Sequence, residues 1–533
     1  MATLLRNGRI YSPSVPAATA LLIDGATVSW LGDEATAAGI RAELVVDLAG
    51  ALVVPGFVDA HFHATATGLA LSGLDLSPAT SLAEALASLE RSCRASGGRP
   101  VLGGGWDETG WPERRPPTAA ELDRASYGGV VYLARTDAHS AIASSALMAA
   151  VPGLAELAGY SRTGHLTKDA HHAAREVALA TISAGRRAQL HETALRHASS
   201  LGVLAVHEMA GPEISSADDL AALLELAGAD ESLPAVYGYW GELRGVATAR
   251  ELGAVGAGGD LFCDGSIGSH TAGLHQPYAD DGSTSGYLRY ETAELAEHIL
   301  ACTEAGLQAG FHAIGDAATD QVVQAMLLAA DRLGARVPAA GHRIEHAELL
   351  SDVASLATAG LTASVQPAFD ATWGGPDGMY AQRLGPDRAR RLNPLAALAA
   401  AGVPLALGSD SPVTPIDPWG AVRAAAYPRH AEHAISARAA LAAHCQGGWQ
   451  AARAGGDGSG VLAPGNPASY AIFATGAPDA AVPAGSANPA SSADSADSVD
   501  RPGLPDLAPG RPLPRCLRTV LRGRQLYDSG ELA

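Results

Sequence analysis

Apolar runs of strand length recur through the middle of the chain, and most of them stop at a polar or charged residue. Eight stand out: "FVDAHFH", "GVLAVHE", "PAVYGYW", "GDLFCDG", "LQAGFHAIGD", "HRIEHAE", "LTASVQP" and "VPLALGSD". Stretches with helical periodicity separate them. Strands that alternate with helices make βα units and a parallel sheet. Eight such units predict an α/β fold of the (β/α)8 TIM-barrel type over residues 56–460. The polar residues then fall where such a barrel keeps its chemistry, at the C-terminal ends of the strands.

The flanks read differently. Residues 1–55 alternate short apolar runs with turns, and "CLRTVLRGRQLYDSG" near the far end matches them. The two ends, 1–55 and 461–533, are expected to pair into one small β-sandwich. Between about 476 and 512, Pro, Ala, Ser, Gly and Asp dominate with almost nothing to bury, the composition of a disordered insertion.

Well over a hundred residues, about 64–200, separate the first two barrel strands, too many for a βα loop. An inserted α/β subdomain is expected there, a lid or substrate-binding unit. It opens with a helix in "SLAEALASLERSCRASGG". Ser81 and Glu84 read as a capping box, Leu82, Leu86, Leu89 and Cys93 form one apolar stripe, and Gly97 ends it. Thr118 and Glu121 read as a second capping box, and "GVVYLARTDAH" as a strand.

Composition narrows the function classes. With 36 basic and 56 acidic residues the net charge is −20, which disfavours nucleic acid and anionic membranes as partners. Five scattered cysteines include no CxxC pair, so neither a disulfide framework nor a cysteine-rich zinc site is expected. "MATLLRNGRIYSPS" lacks the features of a signal peptide, and no apolar window is long enough to span a membrane. The cytoplasm is the expected location, a small molecule the expected partner, and a homo-oligomer is compatible with the sequence. No GxxxxGK[ST] loop and no serine nucleophile elbow occurs.

The first strand carries the sharpest motif. His61 and His63 are two residues apart, so on a strand they project to one side, into the barrel mouth. Such pairs also arise by chance. However, His312 ends the fifth strand, His346 the sixth and Asp410 the eighth. Four imidazoles and a carboxylate at one mouth call for a divalent metal.

That set, with the flanking phrases "GGGWDETGWPERRPPTAAELD", "ARTDAHS", "DGSIGSHTAGLHQPYADDGSTSGYL", "FHAIGDAA", "RIEHAE" and "GSDSPVTPIDPW", resembles the amidohydrolase superfamily and its amidohydrolase-3 branch, which includes N-substituted formamide deformylases. The resemblance spans nearly the whole chain outside the low-complexity stretch. It implies that His61, His63, His312, His346 and Asp410 hold the metal, with zinc expected and iron or manganese compatible with the same ligands. It also implies that Asp410 acts as general base and that the metal or His346 stabilises the developing oxyanion.

One departure concerns metal number. Two-metal members place a carboxylated lysine at the end of strand four, where this chain has Asp260. That side chain is shorter and could reach a metal only if the backbone came closer. Glu208 and Cys263 are other candidates to complete a second site. The choice lies between one ion and two, and a mononuclear centre is the expectation. Trp106, Asp107, Glu108, Arg135, Asp137, His139, Asp264 and His270 are candidate pocket residues. Trp106 could equally be insert core, and Arg135 with its neighbours a local salt bridge. Asp316 is a candidate to orient His312. His171, His172, His191, His197, His430 and His433 read as surface or structural.

The expected function is metal-dependent hydrolysis of a non-peptide C–N bond, amide or formamide, in a small molecule. The alternatives are a mononuclear deaminase of a heterocycle and, in another class, a non-catalytic ligand-binding barrel.

Overall fold

In the computed structural model, residues 2–475 and 503–532 are described. Eight parallel strands run in chain order around a barrel: Phe57–Phe62, Val203–Ala210, Ala235–Trp240, Gly256–Ala257, Gln308–Ala313, Arg343–His346, Thr362–Val365 and Leu405–Leu407. The barrel closes where strand eight meets strand one. There Asp410 N donates to His61 O at 2.8 Å and His63 N to Ser411 O at 3.2 Å. Asp59 reinforces the seam by accepting from Ser409 N at 2.8 Å and Ser409 Oγ at 2.6 Å. The strands are buried on both faces, as near-continuous apolar runs require, and their outer faces join the helices in one large core that includes Phe57, Val206, Phe311, Ile344 and Val365.

Strand four departs from its sequence reading. The run "GDLFCDG" does not form the strand; the ladder there is the two residues Gly256–Ala257 just ahead of it. Pairing resumes only as an isolated bridge between Phe262 and His312. Two glycines, Gly258 and Gly259, interrupt the ladder between these points.

Two sheets lie outside the barrel strands at the chain ends. One orders Thr27–Gly32, Ala20–Asp24, Ala2–Arg6 and Leu44–Asp47, and the other Arg9–Ile10, Leu52–Pro55, Tyr470–Ala474, Arg515–Leu521 and Arg524–Asp528. They share a core of Leu5, Leu21, Val28, Val53, Ile472 and Leu517 among others. The reading of 476–512 as disordered lies, for 476–502, outside the described residues. For 503–512 it is corrected: Leu507 is buried against the main core, and its carbonyl accepts from Arg423 Nε at 3.0 Å.

Between barrel strands one and two, helix Ala64–Ser72 packs on helix Ala184–Ser200 beside the barrel. The residues between them carry a separate five-stranded sheet, ordered His165–Thr167, Ser140–Ala143, Val131–Arg135, Val101–Trp106 and Leu74–Asp75. Helix Leu82–Ser96 buries Leu82, Ala85 and Leu89 and ends at Gly97 in the left-handed region. Its capping box is only half made. Ser81 accepts from Glu84 N, but the Glu84 carboxylate turns to Thr80 N and Oγ1. The Thr118–Glu121 box is complete. Among the described residues, no helix is long and apolar enough to cross a membrane.

Candidate metal centre

The C-terminal ends of strands one, five, six and eight, together with the bulge after strand four, bring four imidazoles and two carboxylates to one point. Asp260 sits at the middle. Its Oδ2 lies 3.2 Å from His61 Nε2 and 3.3 Å from His63 Nε2. Its Oδ1 lies 3.4 Å from His312 Nδ1 and 3.6 Å from His346 Nε2. Asp410 Oδ1 is 3.1 Å from His63 Nε2 and 3.5 Å from His61 Nε2. His346 and Asp410 hold their side chains here from left-handed backbone, with φ of 69° and 54°. Such conformations cost energy and gather where function demands a particular aim.

The far nitrogen of each ring shows what the near one can do. His61 Nδ1 lies 3.1 Å from Glu345 Oε2, His63 Nδ1 2.9 Å from Met209 O, and His346 Nδ1 2.9 Å from Gln366 Oε1. His312 Nε2 faces Gly265 O at 3.4 Å. Each of these acceptors takes the ring N–H, so in the neutral ring the inner nitrogen is a lone pair. The inner lone pairs then face carboxylate oxygens, acceptor against acceptor. A cation satisfies that arrangement, and imidazole with carboxylate is the donor set of a divalent transition metal. The electrostatics also call for positive charge at this point. Burial opposes a charge on His61 and His63, yet the Asp260 and Asp410 carboxylates outweigh it, raising His61 well above the usual range and His63 to about 9, so the cluster attracts a cation, whether proton or metal ion. Burial alone would raise the Asp260 pKa, but His61 and the other rings hold it well below the ordinary carboxylate value.

A buried relay supports His61 from below. Glu345 takes Arg343 Nε at 2.8 Å and Nη2 at 2.9 Å, and Arg343 is fastened to Ala60 O, Tyr239 Oη and His207 Nδ1. Burial pushes the Glu345 pKa up, but Arg343 more than reverses this and brings it to about 2, so it stays a carboxylate.

The other expected site residues divide. His139 lines the cavity above the cluster, its ring 4.9 Å from that of His312. Arg135 also lines it, but it is bound to Asp107 at 3.0 Å, Glu108 at 2.9 Å and Asp137 at 2.8 Å. Asp107 and Glu108 are thus structural partners of Arg135. Trp106 is insert core: it is fully buried and donates to Leu133 O at 2.9 Å. His270 pairs with Asp280 at 2.9 Å on the loop after strand four and does not line the cavity. Glu208 faces the cavity but anchors Ala64 N at 2.7 Å, and Cys263 packs in the main core with its thiol toward Leu261 O. Asp316 accepts from His275 N and makes no contact with His312. Asp264 takes the N–H groups of Gly273, Ile314 and Gly315. Among the helical histidines, His171 and His191 are buried, on Tyr132 and on Thr65 with Asp219, while His197 reaches the cavity wall.

The cavity measures about 360 Å³ and runs from the cluster to the insert, walled by Leu69, Leu74, Leu102, Tyr132, Phe262 and Ile416. Tyr132 and Arg175 on that wall escaped the sequence reading. Arg175 is strapped to Tyr132 Oη, Glu213 O and Ala138 O, contacts between segments far apart in the chain that no local pattern announces.

A parallel barrel with these donors at its C-terminal mouth defines a metal-dependent hydrolase. The chain belongs to the Amidohydrolase family, whose model matches residues 44–527. A crystal structure of a metal-dependent hydrolase of Pyrococcus furiosus aligns with a TM-score of 0.68 and 28% identity, covering 89% of this chain and 98% of that one. The chain is 28% identical to Protein LONG AFTER FAR-RED 3 of Arabidopsis thaliana over 79% of its own length and 77% of that protein's. It is 34% identical to the N-substituted formamide deformylase of Arthrobacter pascens over 136 residues, 25% of each chain.

Proposed function

We propose that the protein hydrolyses a non-peptide C–N bond, of amide or formamide type, in a small molecule, and that His61, His63, His312, His346 and Asp410 hold a divalent metal, zinc by preference, for that reaction. The observation that carries this reading is the ring of inner lone pairs and carboxylate oxygens facing one another at the floor of a mostly apolar cavity. A divalent ion held there supplies Lewis acidity and makes water a nucleophile near neutral pH.

The protein residues do the rest. Asp410 lies beside His61 and His63 at the cavity floor, so its carboxylate can take a proton from water and return it to the leaving nitrogen. His346 is tied through Nδ1 to Gln366 and so keeps its Nε2 lone pair aimed inward, toward the oxygens of Asp260, where a ligand nitrogen is wanted. His139 offers its ring beside His312, and burial, followed by the neighbouring His312 ring, keeps its pKa at about 3, so it acts as a neutral hydrogen-bond partner for the substrate. The apolar walls fit an alkyl or aryl substituent and exclude water around the bond that breaks.

The test is a screen of zinc- or manganese-loaded protein against small amides, formamides and cyclic imines, reading amine, formate and ammonia separately. Amine with carboxylate or formate is the expected product pattern. Ammonia released from aminated heterocycles alone would replace this reading with a deaminase, and no turnover of any compound by fully loaded protein would remove it.

A further inference from the structure

Asp260 occupies the centre of the cluster although aspartate is the shorter of the two acidic side chains. Strand four shows how it gets there. Ala257 pairs with Ala309, and the next paired residue, Phe262, bridges His312. Four residues, 258 to 261, therefore lie opposite two, Gly310 and Phe311. Strand four carries a bulge of two extra residues, and bulges re-aim the side chains that ride on them.

The bulge is made of glycine for a steric reason. Gly258 and Gly259 have φ of 153° and 83°. A Cβ on Gly258 would lie 2.1 Å from Gly310 N, and one on Gly310 would lie 2.3 Å from Gly259 N. Backbone thus packs directly on backbone, which no side chain would permit. The chain is pinned again just beyond: His312 N donates to Leu261 O at 3.1 Å and Cys263 N to His312 O at 3.0 Å. Asp260 is the residue held between these clamps, 4% exposed.

Its two oxygens are not equivalent. Oδ2 faces the strand-one pair, His61 and His63, which Asp410 also approaches; Oδ1 faces His312 and His346. We infer that Asp260 is a bridging ligand, one oxygen to each of two divalent ions, and that the glycine bulge supplies the reach that a longer side chain would otherwise provide. The centre is then binuclear and assembles without the carbon dioxide that a lysine carbamate needs. This replaces the mononuclear expectation, and it rests on the proposal that the cluster binds metal.

The experiment counts metal. Metal-stripped protein is reconstituted with Zn²⁺ in bicarbonate-free buffer and analysed by mass spectrometry of the bound metal, with Mn²⁺ reconstitution in parallel for electron paramagnetic resonance. Wild type is expected to hold two equivalents and to show spin-coupled manganese. Asp260→Asn keeps the side-chain shape but loses one oxygen donor; with an unchanged circular dichroism spectrum it is expected to fall to one equivalent or fewer and to lose the coupling. Gly259→Ala leaves every donor in place and is expected to weaken the second ion by about tenfold or more, the scale on which supporting residues act on metal affinity. The bridge is overturned if Asp260→Asn retains two equivalents, if wild type saturates at one, or if wild type reaches two only with bicarbonate. Gly259→Ala with wild-type affinity for both ions overturns the role given to the bulge. No metal uptake by wild type would remove the metal centre itself. Two bound ions without hydrolysis of any amide would leave the bridge standing and sink only the proposed reaction.

Discussion

The barrel mouth and the inserted sheet both carry dense charge, but they use it in opposite ways. At the mouth, four inner nitrogens and the carboxylates of Asp260 and Asp410 point at one another, and neither carboxylate is paired with an arginine or lysine among the described residues. In the insert, Arg135 closes on Asp107, Glu108 and Asp137, and Arg383, from beyond barrel strand seven, reaches Glu108 and the Asp280 of the loop after strand four, so each charge is answered locally. What the insert adds to the cavity is mainly apolar wall, from Leu74, Leu102 and Tyr132. The contrast teaches that reactivity and shape come from different parts of this chain. Rigid strand ends hold the clustered donors, and the inserted sheet supplies much of the apolar wall above them.

The strongest way to break that division is to remove a group at the mouth. Asp410→Asn keeps the side-chain volume and removes the proposed base. Turnover should drop on the order of 10³-fold, the scale of lost acid–base catalysis, while the melting curve stays close to wild type. A variant that keeps half the wild-type kcat would show that the proton moves elsewhere.

A smaller effect should come from beneath the site. Glu345→Gln weakens the partner of His61 and leaves Arg343 without a counter-charge inside the barrel. Metal affinity, measured by competition with a chelator, should weaken by roughly 10–100-fold, and denaturant unfolding should show a loss of about 3–5 kcal/mol, as for a buried pair broken on one side. If both stay at wild-type values, the relay from Arg343 through Glu345 does not support the ligand.

Much of the mouth was legible in the sequence because its logic is local. A strand alternates its faces, so His61 and His63 must share a side, and a polar residue at the end of an apolar run must emerge at a rim. Arg343 and Glu345 obey the same rule, two apart on strand six, and could have been paired from it. Asp260 is short for a metal ligand unless the backbone comes closer; the glycines Gly258 and Gly259 are the visible sign that it can, but the size of a bulge depends on the neighbouring strand. The insert was harder. Its first helix, the Thr118–Glu121 cap and the strand at Val131–Arg135 follow from capping and periodicity, whereas which of Trp106, Arg135, His139 and His270 face the substrate depends on how one sheet packs over another. Trp106 turned into the core because its ring could be buried with its N–H satisfied by Leu133 O.

The smallest effect sharpens the comparison from the insert's side of the loop after strand four. His270 is 26% exposed, carries its own partner in Asp280 and stacks edge-on against Tyr278 with ring centroids 4.8 Å apart. An exposed pair of this kind stabilises by about 1 kcal/mol at most. Because the ring touches neither the cluster nor the cavity wall, His270→Ala should leave kcat/KM within about twofold of wild type and lower stability by no more than that modest amount. His139→Ala, on the same assay, bears on the ring beside His312 and should cost more. If His270→Ala instead raises KM severalfold while kcat holds, the loop must swing over the cavity when substrate binds, and the boundary drawn between charge that reacts and charge that only holds the fold would have to move outward to include it.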